Sequence, residues 1–573
     1  MTRTRDILIA ALLIALGAGA GAQVTYTRST ERLASLDPAD AASTTAARAV
    51  QLAYEPLLEY DYAARPYRVI PCLAEALPEV QEDGRVLIFR IHPDARFHPD
   101  PCFGTDPEGN PRGRPVTSAD VVYSLKRLAD RKIVSPGAWT VEDTILGMRA
   151  FAELSAGTDP TDYSREVEGL RALDERTLRI ELAKPLHVFL YYLTTPYTAA
   201  VPHEAVTYYG KDFAGRTIGS GPYRVTQWRR NYQMTFMRVP EWRGWRQGPA
   251  ALMPGDTGVP FDRLIYRTID DVSTQWLCFL RGELDFLGEI SRDNWDVVVG
   301  ADGNLSASLQ AQGIRLHSIP SMRSDYLGIN MDDPVLGTNK ALRQALNCAF
   351  NGAAWQRFFN NRVTVADGPL PPSIAGRPDT PFAYAFDLDK ARQLLREAGY
   401  PDGIDPNTGR RLELTLDLGR TSQDIRESSE LLVSFYAQIG ITLRPQYHSW
   451  PAFLRRLANR QSQIFRVAWI GDYPDAETFM QLFYGRNVSP GPNRVNYVNP
   501  AFDALYEQAC ATTDVAARNL LWQAMQEILR EDCPWVFLHY QTAYSLCNPR
   551  IHGYHLSDFP YGTEKYLRYR PKE

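Results

Sequence analysis

The sequence lacks the short motifs that mark the commonest enzyme classes. Its 573 residues contain no GxSxG, no GxxxxGK[ST] and no HExxH, so a serine-hydrolase elbow, a P-loop and a zincin helix have no support. It has no long basic stretch, and its formal net charge is −5, which disfavours nucleic acid as a partner. These absences favour a protein that binds over one that catalyses, and we expect no enzyme activity and no cofactor.

Cysteine is also sparse, with seven residues. No CxxC and no Cys/His cluster has zinc spacing, so we expect no metal site. Two pairs are candidate disulfides in an exported protein, Cys72 with Cys102 and Cys533 with Cys547, and the odd count leaves at least one thiol. Cys278 and Cys348 lie in apolar helical patterns and are predicted to be buried.

Long hydrophobic runs are absent after the N-terminus, where no segment reaches 18 consecutive apolar residues. At the N-terminus a basic region (1–5) precedes an apolar run (7–16) and a small-residue stretch (17–22). This layout is typical of a secretory signal peptide, and the run is short for a membrane span. An uncleaved anchor is the alternative interpretation. We expect cleavage after residue 22 and a soluble, periplasmic protein.

The chain is longer than one core usually organises, so two or three structural units are expected. From Tyr326 onward, strand-like segments (326–330, 412–418, 441–447 and 464–470) alternate with helical ones (339–350, 387–399, 422–438 and 451–459), which is typical of an α/β unit. Earlier, a helix is predicted through about Leu58 and a strand over 314–319. No low-complexity linker separates the units, which favours a connection by strands.

Six ordered segments carry a family resemblance. They are Tyr54–Leu58 with Pro71–Ala76; Phe89–His98 with Val116–Leu125; Gly219–Tyr223; Gly282–Asp285; Tyr326–Asn330 with Ala341–Leu346; and Ala468–Asp475. Their shared order over residues 24–570 resembles the family-5 extracellular solute-binding proteins of bacterial ABC importers, the oligopeptide, dipeptide and nickel receptors.

The resemblance implies an α/β, two-lobe periplasmic-binding-protein-like fold (type II) with an extra subdomain and two crossing strands. Lobe I would comprise 23–53, 190–318 and 544–573, its extra subdomain 54–189, and lobe II 319–543. The crossings should lie near residues 317–321 and 540–545. The implied mechanism is hinge closure around a ligand. The ligand would be delivered to the importer's permease subunits, and the protein would be a monomer.

Asp472 is the principal candidate for ligand binding. It follows the apolar strand 464–470, and in peptide-binding relatives the Asp of the similar Trp-x-x-Asp motif pairs with the ligand's α-ammonium. A buried ammonium requires such a counter-charge. The alternative is an Asp that bonds to its own turn. Asp475, in contrast, is predicted to cap the following helix.

The resemblance implies further contacts on both lobes. Trp469 and Ile470 would offer backbone groups to an extended ligand. Ala42, Ser43 and Thr44 match the opposing segment, where an ordinary helix start is the alternative. Trp139 matches an aromatic residue above the ligand, with core packing as the alternative.

Arg323 departs from the pattern of some oligopeptide receptors, which link the segments of Arg323 and Ile470 by a cysteine pair. The alignment implies that Arg323 lies close to Asp472. It would then either bind a ligand carboxylate or neutralise Asp472, and the second alternative would undermine the ammonium site.

The main interpretation is thus a periplasmic peptide receptor. The alternative within the family is a receptor for another small solute: a metal–chelator complex, a glycoside or an opine-like compound. A secreted hydrolase or a chaperone is the alternative from a different class.

Overall fold

The computed structural model describes residues 23–41, 43–157, 159–246, 258–291, 294–300 and 303–571. The predicted signal peptide, residues 1–22, lies outside the described residues. Within them, no helix combines the length and the apolar character needed to cross a membrane.

The strands up to residue 313 are β1 (Thr25–Thr30), β2 (Leu58–Tyr60), β3 (Val69–Pro71), β4 (Glu79–Gln81), β5 (Val86–Arg90), β6 (Leu170–Ala172), β7 (Thr177–Glu181), β8 (Tyr223–Arg229), β9 (Gln233–Arg238), β10 (Val259–Pro260), β11 (Arg263–Thr268) and β12 (Phe286–Leu287). Those that follow are β13 (Arg315–Ile329), β14 (Val363–Val365), β15 (Glu413–Leu418), β16 (Thr442–Tyr447), β17 (Ile464–Ile470), β18 (Trp535–Cys547), β19 (Ile551–His552) and β20 (Arg568–Tyr569).

The α-helices in the described part of the first half are α1 (Thr44–Ala53), α2 (Ser118–Ala129), α3 (Met148–Ser155), α4 (Phe189–Tyr192), α5 (His203–Tyr209), α6 (Arg243–Arg246), α7 (Val272–Leu280), α8 (Trp295–Val298) and α9 (Ala307–Ala311). In the second half they are α10 (Lys340–Ala349), α11 (Gly352–Phe358), α12 (Leu388–Glu397), α13 (Gln423–Ala437), α14 (Trp450–Ala458), α15 (Glu477–Met480), α16 (Pro500–Ala511) and α17 (Val515–Asp532).

One mixed sheet runs through both lobes, in the order β16-β15-β17-β13-β18-β12-β1-β11-β9-β8, with β14 also paired to β18. The long strands β13 and β18 pair antiparallel from Arg315 opposite Cys547 to Gly328 opposite Trp535. Their register shifts between Pro320 and Ser324. On one side of this shift lie β1, β8, β9, β11 and β12, which we call the first lobe; on the other lie β14–β17, the second lobe. The expected two-lobe α/β fold with two crossing strands is confirmed.

There is also a separate four-stranded antiparallel sheet, in the order β4-β5-β7-β6, which we group with the first lobe. Helix α2 packs on this sheet with its apolar face, including Val121, Leu125 and Leu128, fully buried. The helix starts where the Asp120 carboxylate accepts the backbone N–H of Thr117 at 2.8 Å, a bond that satisfies a donor at the helix N-terminus. The loops that follow α2 and β7 lead into the cleft between the lobes.

Two predictions of secondary structure are wrong. The helix predicted through Leu58 ends at Ala53, and Tyr54 is already extended; the proline at position 56 disfavours helix in the residue before it. The strands predicted over 314–319 and from 326 are one strand, β13. The polar residues from Ser321 to Asp325 interrupt the apolar pattern without ending the pairing.

The candidate disulfides are absent, because all seven cysteines are free. Cys533 and Cys547 lie at opposite ends of β18, and a strand of that length spans roughly 40 Å, far beyond the reach of a disulfide. Cys72 and Cys102 are likewise unbonded. Cys278 and Cys348 are buried within α7 and α10 as predicted.

Candidate ligand-binding cleft

A cavity of about 910 Å³ lies between the two lobes. This volume is at the upper end of the range typical for small-molecule sites, about 300–1,000 Å³. The first-lobe wall includes Trp139, Asp143, Thr144, Lys184, Leu186 and Tyr192. The second-lobe wall includes Trp469, Asp472, Tyr473, Glu477, Gln481, Tyr484, Arg486, Tyr506, Glu507 and Cys510. A depression of about 410 Å³ elsewhere is lined by first-lobe residues alone, so closure of the lobes would not enclose a ligand there.

Asp472 lies on the floor of this cavity, two residues beyond the end of β17. Its backbone N–H donates to the Thr478 hydroxyl at 3.3 Å. Among the residues that the structure describes, none donates a hydrogen bond to the Asp472 carboxylate or forms an ion pair with it. The side chain is open to water within the cavity, yet enough protein surrounds it that burial, followed by the charge of Glu477, raises its pKa to about 6. The carboxylate is therefore not held by its own turn.

Glu477 is a second acid on the same wall. It is buried, and its two carboxylate oxygens accept hydrogen bonds from the hydroxyls of Tyr473 and Tyr506. Burial raises the pKa of Glu477, although these hydrogen bonds oppose the shift. Both partners are neutral, so they satisfy the oxygen atoms without compensating the charge.

Asp475 connects the two lobes beside the start of a helix. One carboxylate oxygen accepts the N–H of Glu477, the first residue of α15, at 3.0 Å, but Ala476 occupies the N-cap position, so Asp475 lies one residue before the predicted cap. The other lies 3.5 Å from Nε2 of His187, a first-lobe residue, and 3.5 Å from Arg518. Burial would raise the pKa of Asp475, but the hydrogen bond and charge of His187 outweigh burial and lower it.

Three aromatic residues of the opposite lobe are related to Asp472 through the shared cavity or through its charge. Trp139 is 41% exposed on the cavity wall and packs edge-on against Tyr192 at 4.8 Å, so it is not a core residue. The hydroxyls of Tyr197 and Tyr561 have raised pKa values, chiefly through burial and in part through the charge of Asp472. Neither tyrosine was singled out from the sequence, because no motif surrounds them and only the fold brings them to Asp472.

The edge of β17 is partly open at the cavity. The strand pairs with β13 along its whole length but with β15 only from Ile464 to Arg466. Ile470, at the open end, is 61% exposed, and Trp469 lines the cavity. Backbone groups of this edge are thus left without a strand partner on the side away from β13.

Arg323 is directly opposite Ile470 on the neighbouring strand, but it is not paired with Asp472. Its guanidinium binds Asp325, with Nε at 2.7 Å and Nη2 at 3.1 Å. Asp325 is buried and also lies 3.5 Å from His539. The alternative in which Arg323 neutralises Asp472 does not occur in this structure.

Of the predicted first-lobe segment 42–44, Ser43 and Thr44 are not among the residues that line the cavity. Ala42 lies outside the described residues. The Ser43 hydroxyl accepts the Ala46 N–H at 3.1 Å and caps α1, and Thr44 is the exposed first residue of that helix. This arrangement is the ordinary helix start that was the alternative interpretation.

The chain is similar to known proteins over most of its length. Residues 68–490 match the model described as bacterial extracellular solute-binding proteins, family 5 Middle. Heme-binding protein A of Haemophilus influenzae is 23% identical, with 89% of this chain and 86% of that protein covered. Di/tripeptide-binding protein 2 of Pseudomonas aeruginosa is 25% identical, covering 85% and 84%. The solved structure of HbpA2 from Haemophilus parasuis superposes with a TM-score of 0.76 at 22% identity, covering 96% of this chain and all of that one.

Proposed function

The chain belongs to the bacterial extracellular solute-binding proteins of family 5, and from that premise we propose that it binds a short peptide between its lobes and presents it to an ATP-driven importer. The observation that carries this proposal is the unpaired carboxylate of Asp472 on the floor of the interlobe cavity. One similar protein is named a di/tripeptide-binding protein, which is consistent with the same ligand class.

Asp472 supplies the negative charge that the α-ammonium of a bound peptide requires. A buried ammonium is stable only beside an opposite charge, and the carboxylate is free to receive it. Charge-assisted hydrogen bonds of this kind are roughly twice as strong as neutral ones. Burial and the charge of Glu477 raise the pKa of Asp472 to about 6, which supports the proposal because a bound cation would stabilise the ionised carboxylate.

The peptide backbone would lie along the open edge of β17. Trp469 and Ile470 flank that edge, and an added strand would pair with their backbone groups regardless of the ligand's side chains. Trp139, across the cavity, would cover the ligand from the first lobe. We leave Ser43, Thr44 and Arg323 outside the ligand set, because their side chains are engaged elsewhere or lie away from the cavity.

Closure of the two lobes would enclose the ligand. We assign 23–53, 190–318 and 544–573 to lobe I, 54–189 to its subdomain and 319–543 to lobe II, with the hinge at the register shift of β13 and β18. Contacts between the lobes lie beside the cavity: His187 approaches Asp475, and the ring of Tyr191 stacks on Tyr473 at 5.9 Å. A ligand touching both walls would stabilise the closed form, which the importer would recognise.

The proposal includes the cellular setting. The protein would be exported through its N-terminal segment, act in the periplasm as a monomer, and bind its ligand without chemical conversion. Stoichiometric binding with no product would distinguish this from a secreted hydrolase.

Calorimetric titration with a library of di- to pentapeptides tests the proposal. We expect micromolar or tighter binding, and loss of at least about a hundredfold in affinity for Asp472→Asn, since a paired charge is removed. Asp389→Asn is a matched control, because Asp389 is exposed on α12. Mass spectrometry of ligand retained through purification gives an independent result: a peptide supports the proposal, whereas a metal–chelator complex or a glycoside contradicts it.

A further inference from the structure

Three of the six charged residues that line the cavity are neutralised by neighbours. Asp143 binds Arg149 with Nε at 2.7 Å, and Glu507 lies 3.0 Å from Arg486. Two acids are left, and both belong to the second lobe: Asp472 and Glu477. Within the described chain, Lys184 is the cavity cation that forms no ion pair, and it lies beside Cys510, where its charge opposes the rise in that thiol's pKa.

Glu477 is not required as a charge by the fold around it. Its partners, Tyr473 and Tyr506, are hydroxyl donors, and a glutamine would satisfy both, with its oxygen accepting from one and its nitrogen donating to the other. Burying a carboxylate without a cation is unfavourable. Asp475 adds a second negative charge beside Glu477, and the charge of His187, which lowers the pKa of Glu477, is shared with Asp475, which His187 approaches at 3.5 Å.

The position of Glu477 relates it to the ammonium site. It lines the same cavity as Asp472, and its charge contributes to the raised pKa of Asp472. The buried Tyr473 lies between them in sequence and also contacts the first lobe through Tyr191 and Tyr192. Closure would therefore enclose both acids with the ligand.

We propose that Glu477 is a specificity-determining residue that selects peptides carrying a second positive charge, a lysine or arginine side chain at one of the first two positions. This inference rests on the proposed function, in which Asp472 takes the α-ammonium. The second cation of the peptide lies beside Glu477. Each of the two acids, Asp472 and Glu477, then forms an ion pair with the ligand. The ligand class is accordingly that of basic peptides.

Two pairs of tripeptides test this on the wild-type protein: Lys-Gly-Gly against norleucine-Gly-Gly, and Gly-Lys-Gly against Gly-norleucine-Gly. Norleucine matches the length of the lysine side chain closely and lacks the charge. We expect the lysine peptide of at least one pair to bind about tenfold more tightly or better, as measured by calorimetry, because a charge-assisted contact is gained.

Variants then assign the preference to one residue. Glu477→Gln, and the smaller Glu477→Ser, should reduce the lysine-to-norleucine ratio to about one to three. Glu430→Gln removes the same charge from the exposed face of α13 and should leave the ratio unchanged. Two Glu477 variants are used so that a folding defect in one does not remove the test.

The outcomes separate the inference from the proposed function. Equal affinity within both wild-type pairs overturns the second-cation inference and leaves the peptide receptor standing. A ratio that survives in the Glu477 variants overturns the assignment to Glu477. Failure of all four peptides, and of the wider peptide library, to bind overturns the peptide proposal and this inference with it.

Discussion

His187 of the first lobe lies 3.5 Å from the carboxylate of Asp475 in the second lobe, and both side chains are more than nine-tenths buried. The other ring nitrogen of His187, Nδ1, lies 3.2 Å from the carbonyl oxygen of Cys510, also in the second lobe. One side chain thus joins the lobes at two points beside the ligand cavity.

Replacing His187 by alanine should weaken ligand binding through the closed form. The substitution removes both contacts between the lobes, while Asp475 keeps Arg518 and the Glu477 N–H. We expect the Kd to rise by about three- to thirtyfold, corresponding to the loss of one buried hydrogen bond, to the Cys510 carbonyl, and of the charge contact with Asp475, and small-angle scattering to show a larger ligand-free particle. His203→Ala is the matched control, because His203 is exposed at the start of α5. An unchanged Kd and radius would show that the contact contributes nothing to closure.

Ligand affinity should depend on pH through Asp472. The ammonium binds the ionised carboxylate, and the pKa of Asp472 in the ligand-free protein is about 6. Affinity should therefore fall about tenfold per pH unit below 6, and also above about 8, where the peptide amine itself loses its proton. Calorimetry at pH 6 in two buffers of different ionisation enthalpy should detect proton release on binding. A flat profile from pH 4.5 to 7.5 would contradict the assigned role.

The same acid should lower the stability of the ligand-free protein at neutral pH. Its pKa is raised in the folded state, from 3.8 to about 6, so the folded state binds the proton more tightly than the unfolded one. Its contribution to the free energy of unfolding is then most favourable at low pH and is lost as pH rises through about 6. Asp472→Asn should raise Tm at pH 7.5 relative to wild type, with the difference vanishing near pH 3.5. A Tm unchanged or lowered at pH 7.5 would contradict this.

The regular elements of the second lobe could be predicted from the sequence closely. Strand β17 has the predicted bounds, and the helices α10 and α12–α14 match within about two residues at each end. These segments combine a consistent apolar period with recognisable starts and ends, so local signals suffice. The local sequence pattern gave wrong bounds near two prolines. Pro320 lies within the continuous strand β13, and Pro56 follows α1, which ends at Ala53.

The candidate site could be predicted only in part. Asp472 follows an apolar strand and belongs to a recognisable motif, and Trp139 and Trp469 line the same cavity. Tyr197 and Tyr561 are close enough to Asp472 for its charge to raise their pKa values. Each is more than 80 residues away from Asp472 in the chain, so no local sequence pattern predicts this proximity. The sequence indicates only that Glu477 belongs to the helix after Asp475. That its carboxylate is bound by two neutral tyrosine hydroxyls depends on the tertiary structure.

Replacing Arg323 by glutamine should leave the ligand's ammonium site intact. The guanidinium binds Asp325 and not Asp472, so we expect peptide Kd values within about threefold of wild type and the same decline of affinity below pH 6. Stability should fall instead, because Asp325 is buried and loses two charge-assisted donors; its remaining close partner, His539, is 3.5 Å away. Thermal unfolding of Arg323→Gln against Arg420→Gln, whose arginine is exposed beyond β15, measures that loss. If Arg323→Gln instead tightened peptide binding severalfold at constant stability, Arg323 would be the residue that neutralises Asp472.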